Sequence, residues 1–189
     1  LIADGYVNLG VIEAERGHHE DALDHLRSAL TIYDQLGAEE HRNVRRILMN
    51  MGAIEVQTGE YDKAAEHLDR VLAQIKDPEQ SRDPEVGAIL TNYGDLLVAQ
   101  SRYDQALEKH RAAHRIMVEV MGPDAAWVAY PLHGQAEDLL GLGRFDEAAD
   151  AAREALRIRE AIPAPPVELE ATRWLLAKAH WGRGQKAKA

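Results

Sequence analysis

The chain of 189 residues contains no cysteine, which rules out disulfides and thiolate metal sites and agrees with a reducing, cytoplasmic compartment. No apolar run approaches the roughly 18 residues that a membrane-crossing helix needs. Basic residues are the minority: 22 Lys and Arg stand against 32 Asp and Glu, for a formal charge of −10. That balance disfavours nucleic acid and anionic membrane surfaces as partners and accommodates a basic or mixed-charge polypeptide more easily. Catalytic patterns are also missing. There is no HExxH, no strand-turn-helix setting for a nucleophilic serine, and no carboxylate pair that stands apart from a solvated helix face. Gly141-Leu142-Gly143 lacks the further glycines and the lysine of a phosphate loop, and a helix-helix turn accounts for Gly143. No enzymatic activity, cofactor or metal is expected.

What the chain does have is repetition. In Leu48 to Leu72, Leu48, Met51 and Glu55 precede Gly59, and Tyr61, Ala64, Ala65, Leu68, Val71 and Leu72 follow it, spaced three and four apart. That spacing predicts two amphipathic helices, antiparallel across a turn at Gly59. Gly52 lies inside the first helix, where glycine costs about 1 kcal/mol relative to alanine, so a close helix approach is its expected return. The frame recurs every 42 residues: Gly10, Gly52, Gly94 and Ala136 in the first helices, Gly17, Gly59, Ser101 and Gly143 at the turns, and Ala22, Ala64, Ala106 and Ala148 in the second helices. A period of this length means a solenoid.

Four such helix-turn-helix signatures resemble a tetratricopeptide repeat array of the 42-residue kind found in kinesin light chains. Ile116 to Ala129 resembles the Gly-Pro-Asp junction between such repeats, with Ala125-Ala126 in place of the usual His-Pro. The resemblance implies an all-α fold, a solenoid of antiparallel helix pairs forming a right-handed superhelix. We read residues 1–189 as a single array, with repeats at about 1–38, 39–82, 83–123 and 124–164 and a partial fifth over 165–189. Alanine-rich copies such as VAYPLHGQAEDLLGLGRFDEA further resemble arrays attached to bacterial serine/threonine protein kinases. The chain begins with Leu1 inside a helical pattern and ends as a fifth repeat starts its second helix, so it is expected to be cut from a larger regulatory or signalling protein.

Within this frame several residues have bland readings. His18-His19-Glu20-Asp21 and His25 suit a solvated helix start better than a metal. Asp83 is placed to cap a helix with Pro84 at its first position, and flexibility is expected along the junction from Asp77-Pro78 to Asp83-Pro84. His110 and His114 share a helix face at the places of Leu68 and Leu72, which favours packing or a helix-helix hydrogen bond over metal ligation. Trp127, Tyr130 and Pro131 are expected on one first helix, bent at Pro131. Tyr6 and Leu9 are expected in the core beside Leu48 and Met51.

One series exceeds the structural pattern. Asn8, Asn50 and Asn92 stand two residues before the helix glycine in three copies, and Gly134 replaces asparagine in the fourth. Asn8 shares a helix face with Val11 and Glu15, Asn50 with Gln57, and Asn92 with Asp95, apart from the core stripes. In the family the first helices line the concave groove, and asparagines at matching places grip a bound peptide's backbone. A carboxamide offers a donor and an acceptor together, as a strand edge does. The resemblance therefore implies a protein or peptide partner held by these residues, with Arg46, Met49, Tyr130, His133 and Glu137 setting specificity. Inter-repeat bonding by the asparagines is the alternative reading, and the two are not exclusive. A ligand-sensing regulatory domain and a structural self-association module are rival functions. The latter would use Trp174 and Trp181, seven apart on the last helix, as an apolar homodimer surface.

Overall fold

The computed structural model describes residues 2–37, 42–162 and 165–186. Among these there are nine α-helices and two short 3₁₀ turns, and no strand. Backbone contacts divide the chain into two compact units, Leu1–Lys76 and Asp77–Ala189. The first holds α1 (Ile2–Glu15), α2 (His19–Gln35), α3 (Arg42–Thr58) and α4 (Tyr61–Leu72). The second holds α5 (Pro84–Ala99), α6 (Tyr103–Met121), α7 (Ala129–Gly141), α8 (Phe145–Ala161) and α9 (Pro166–Lys186).

Each helix pair is made by the same local device. Gly17, Gly59, Ser101 and Gly143 all have positive φ, at 81°, 82°, 58° and 68°. At the second turn the Glu60 N–H donates to Glu55 O at 2.8 Å while the Gly59 N–H donates to Val56 O at 3.3 Å. The same two bonds close the ends of α1, α5 and α7. This left-handed cap satisfies otherwise orphaned carbonyls and reverses the chain. The next helix then starts without a side-chain cap, and ends of opposite or complementary character clasp across its first turn: Lys63 to Glu60, Arg102 Nε to Gln105 Oε1 at 2.8 Å, Arg144 Nε to Glu147 Oε1 at 2.8 Å.

The core follows from the small residues. A Cβ at Gly10 would lie 2.8 Å from Leu26 Cγ, and one at Gly52 would lie 3.0 Å from Leu68 Cγ, so each glycine lets a leucine of the partner helix seat against backbone. Ala22, Ala64, Ala106 and Ala148 are wholly buried. In the fourth copy the volumes are shared out evenly, with Ala136 against Ala152. Aromatic rings use small residues in the same way, Tyr103 against Gly141 and Phe145 against Gly182.

Three expectations are corrected. Leu9 is 45% exposed and is not a core residue, because it lies on the side of α1 that its neighbours α2 and α3 leave open. Pro131 does not bend a helix: Ala126–Val128 form a 3₁₀ turn holding Trp127, α7 begins at Ala129, and Pro131 falls in its first turn, where no intrahelical N–H bond is lost. The turn expected to end the fifth repeat's first helix does not occur among the described residues, since α9 runs unbroken to Lys186, and Gly182 within it serves as the seat for Phe145. The cap at Asp83 is as expected, its Oδ1 accepting from Glu85 N at 2.9 Å ahead of Pro84.

Candidate functional site

On the first unit, α1 presents Asn8 and Glu15 to solvent with Val11 half-buried, and α3 presents Arg46 and Gln57 with Met49 and Asn50 half-buried. Among the described residues neither the Asn8 nor the Asn50 carboxamide makes a hydrogen bond. Asn43 does the opposite. Its Nδ2 donates to Asp4 Oδ1 at 2.8 Å and to the Tyr33 hydroxyl at 2.6 Å, and so ties α1, α2 and α3 together. A second tie, partly buried like the first, joins α3 to α4, with Glu55 Oε2 and His67 Nδ1 2.7 Å apart.

The turn after α1 brings ligand atoms of Glu13, His18 and Asp21 within 4.8 Å of one another, the one group of metal-ligand geometry among the described residues. Its parts have structural roles. His18 and Asp21 stand at the places of Arg144 and Glu147, the first-turn clasp of α8, and Glu13 is shared between His18 at 2.6 Å and Arg16 at 3.1 Å.

The second unit carries a polar network that the apolar frame does not require. His110 on α6 occupies the place of Leu26 and Leu68, and Asp138 on α7 the place of Ile12, Ile54 and Leu96. Both are excluded from solvent, with Nδ1 of the ring 2.7 Å from Asp138 Oδ2. Nε2 lies 3.3 Å from Oδ1 of the partly exposed Asp95 on α5. Burial opposes charge on the ring, but the bonds to Asp138 and Asp95 outweigh it and hold the imidazole up to about 9. Burial also raises the Asp138 carboxyl, so both groups favour keeping the shared proton. The ring is wedged between glycines: a Cβ at either Gly94 or Gly134 would lie 2.4 Å from Nε2. This explains why the asparagine series stops at Gly134, since a side chain there would strike His110.

A neighbouring cluster joins α7, α8 and α9. Arg159, at the place of Tyr33 and Met117, is almost fully buried. Its Nη1 donates to His133 Nδ1 at 3.2 Å, to Glu168 O at 3.1 Å and to the Thr172 hydroxyl. Burial, then the Arg159 charge, pushes His133 down to about 4, so its ring is neutral with the proton on Nε2. Tyr130 donates to Glu168 Oε1 at 3.0 Å, lies under the Arg159 guanidinium at 5.4 Å and stacks on Trp127. Glu137 is half-buried, and burial followed by the charge of Asp95 raises its carboxyl. Of the residues expected to bind a peptide, the second unit therefore gathers Asp95, His133 and Glu137, with Tyr130 at the start of the same helix and Asn92 half-buried one turn before Asp95. Asp138, Arg159, Glu168 and Thr172 were not singled out in the sequence. For Asp138 and Arg159 the readable signal was a break in the 42-residue frame, a charged residue where the other copies are apolar, whereas Glu168 and Thr172 break no such pattern.

Two tetratricopeptide repeat families match the chain, one over residues 1–77 and 85–161 and the other over residues 49–116. The chain belongs to the tetratricopeptide repeat family. Repeats of this family mediate protein-protein interaction, and the fold is typically a non-catalytic scaffold. No curated protein matches it. Among solved structures, it is similar to the nearly identical TPR-like repeats of a Podosopora anserina protein assigned to the kinesin light chains. A point variant of that protein has a TM-score of 0.76 at 18% identity, and the parent form 0.73 at 17%, each over 98% of this chain and 88% of the other. MamA of MSR-1 is similar at a TM-score of 0.52 and 22% identity, over 97% and 98% of the two chains. These likenesses fix the fold as an array of antiparallel helix pairs. No described helix is long and apolar enough to cross a membrane.

Proposed function

We propose that the chain is a peptide-binding module of a larger cytoplasmic regulatory or signalling protein, without catalysis of its own. An extended polypeptide lies against the first helices, and its backbone bonds to Asn8, Asn50 and Asn92. The observation that carries this reading is a repeated residue left unemployed in two of its copies. The asparagines recur in one register, and the Asn8 and Asn50 carboxamides take no hydrogen bond within the described residues, whereas Asn43 makes the inter-helix ties. Partners are polypeptide rather than nucleic acid or membrane, in keeping with the −10 charge.

A partner captured from a lysate of the parent cell supplies the ligand for the test. Changing Asn8, Asn50 and Asn92 together to alanine should weaken binding by about 2 to 4 kcal/mol, on the net value of a hydrogen bond, and leave the melting temperature almost unchanged. Unchanged affinity with a lowered melting temperature would assign the series to structure instead. A second reading, self-association, rests on Trp174 and Trp181, which are 64% and 70% exposed on α9. It expects concentration-dependent dimers in sedimentation that the Trp174→Ser, Trp181→Ser variant abolishes.

A further inference from the structure

The four cap turns share one frame, but their clasps differ in chemistry. In the later three the clasp pairs Glu60 with Lys63, Arg102 with Gln105 and Arg144 with Glu147, so each contains a permanent cation. The first contains none: His18 and Asp21 hold those places, and Glu13 of α1 stands where the third and fourth copies have Leu97 and Leu139. The result is an imidazole and two carboxylates whose ligand atoms all lie within 4.8 Å of one another. A fourth group stands beside them. His25 is one turn on from Asp21 along the same face of α2, and in the second copy the residues at the places of Glu13 and His25, which are Glu55 and His67, lie 2.7 Å apart. His25 is half-buried near the Tyr6 ring, and its nitrogens make no hydrogen bond among the described residues. His19 is not part of the set, since it holds the place of Tyr61, Tyr103 and Phe145 and its Nδ1 is shut from solvent.

We propose that the first cap turn is a binding site for a divalent transition-metal ion of the zinc class, held by the rings of His18 and His25 and one carboxylate oxygen each from Glu13 and Asp21. Mixed imidazole and carboxylate ligands suit such an ion, and four groups match the coordination number that zinc prefers. Magnesium and calcium favour oxygen ligands throughout and fit the set poorly. Glu13 lies in the last turn of α1 and Asp21 in the first turn of α2, so the opposed ends of two helix dipoles meet there and offset each other. Arg16 now holds Glu13 Oε1 at 3.1 Å, but its side chain is 64% exposed, and a surface ion pair of this kind gives way at small cost. The site is independent of the peptide-binding reading above.

The test is calorimetric titration of the whole chain, stripped with a chelator, with Zn²⁺ and with Mg²⁺ at neutral pH. Zn²⁺ should bind as one ion per chain with micromolar affinity, and Mg²⁺ should show no saturable binding. His18→Ala and Asp21→Asn change exposed side chains and should each weaken Zn²⁺ binding at least about tenfold at unchanged helical content, the least that loss of a group merely supporting a metal ligand costs. His25→Ala should weaken it by a similar factor. Absence of saturable Zn²⁺ binding overturns the site. Full affinity in the His18→Ala, Asp21→Asn double variant also overturns it, since the ion would then sit on other histidines of the chain. Full affinity in His25→Ala strikes that ring from the ligand set.

Discussion

His110 Nδ1 lies 2.7 Å from Asp138 Oδ2, with both side chains wholly excluded from solvent and 28 residues apart in the chain. The pair replaces two apolar residues of the repeat frame, so its energetic balance can be tested by putting them back. Removing one partner leaves a buried charge uncompensated, and Asp138 Oδ1 already lacks a hydrogen bond. His110→Leu alone should therefore cost roughly 3 to 5 kcal/mol. The double variant His110→Leu, Asp138→Leu restores residues seen at matching places, Leu26 or Leu68 and Leu96, and should return to within about 1 kcal/mol of the parent or exceed it. Urea unfolding of the two single variants and the double variant measures the coupling directly. Additive losses would show that the pair is not a unit.

The same pair sets a pH dependence. A histidine in the unfolded chain titrates near 6.5 and His110 in the fold at about 9, so the folded state binds the proton more tightly. The resulting stability is fully present below pH 6.5 and is lost as pH rises through 9. Its size is roughly 3 kcal/mol on the free-energy equivalent of the shift. The urea midpoint of the second unit should fall between pH 7 and pH 10, and the double leucine variant should fall much less. Parallel curves for the two proteins would contradict the assignment of the proton to this site.

Much of the fold was legible because it is written four times. The turn glycines, the buried alanines and the glycine-leucine seats of Gly10 and Gly52 repeat in one frame, and a periodic signal survives local ambiguity. The departures were harder. Pro131 reads as a bend inside a helix until the 3₁₀ turn ahead of α7 moves the helix start, and the end of the fifth repeat's first helix reads one turn too early because α9 runs on to Lys186. The polar network was half legible. His110 reads as a packing residue or a helix-helix hydrogen bond, but its partner Asp138 lies on the next helix, 28 residues on, and no local pattern couples them. Arg159 was hidden for the same reason, since its bonds reach His133 and Thr172 on two other helices.

The last prediction concerns glycine where the backbone or a neighbour demands it. Gly134→Ala would place a Cβ 2.4 Å from His110 Nε2, and the ring has little room to retreat because its other side packs close to Gly94, where an added Cβ would also lie 2.4 Å from Nε2. Overpacking of this kind costs about 1 to 3 kcal/mol, partly offset by the helix preference of alanine of about 1 kcal/mol. Gly134→Asn, which restores the residue of the other three copies, should be worse than Gly134→Ala. Gly5→Ala on α1 is the matched control, with no atom near the added carbon, and should raise stability by up to about 1 kcal/mol. Ser101 offers the converse. It holds φ at 58° where the other three turns have glycine, so Ser101→Gly should stabilise by about 1 kcal/mol through relief of left-handed strain. Thermal melts of these four variants should order as Ser101→Gly and Gly5→Ala above the parent, then Gly134→Ala, then Gly134→Asn. A Gly134→Asn variant as stable as the parent would mean that His110 does not end the asparagine series.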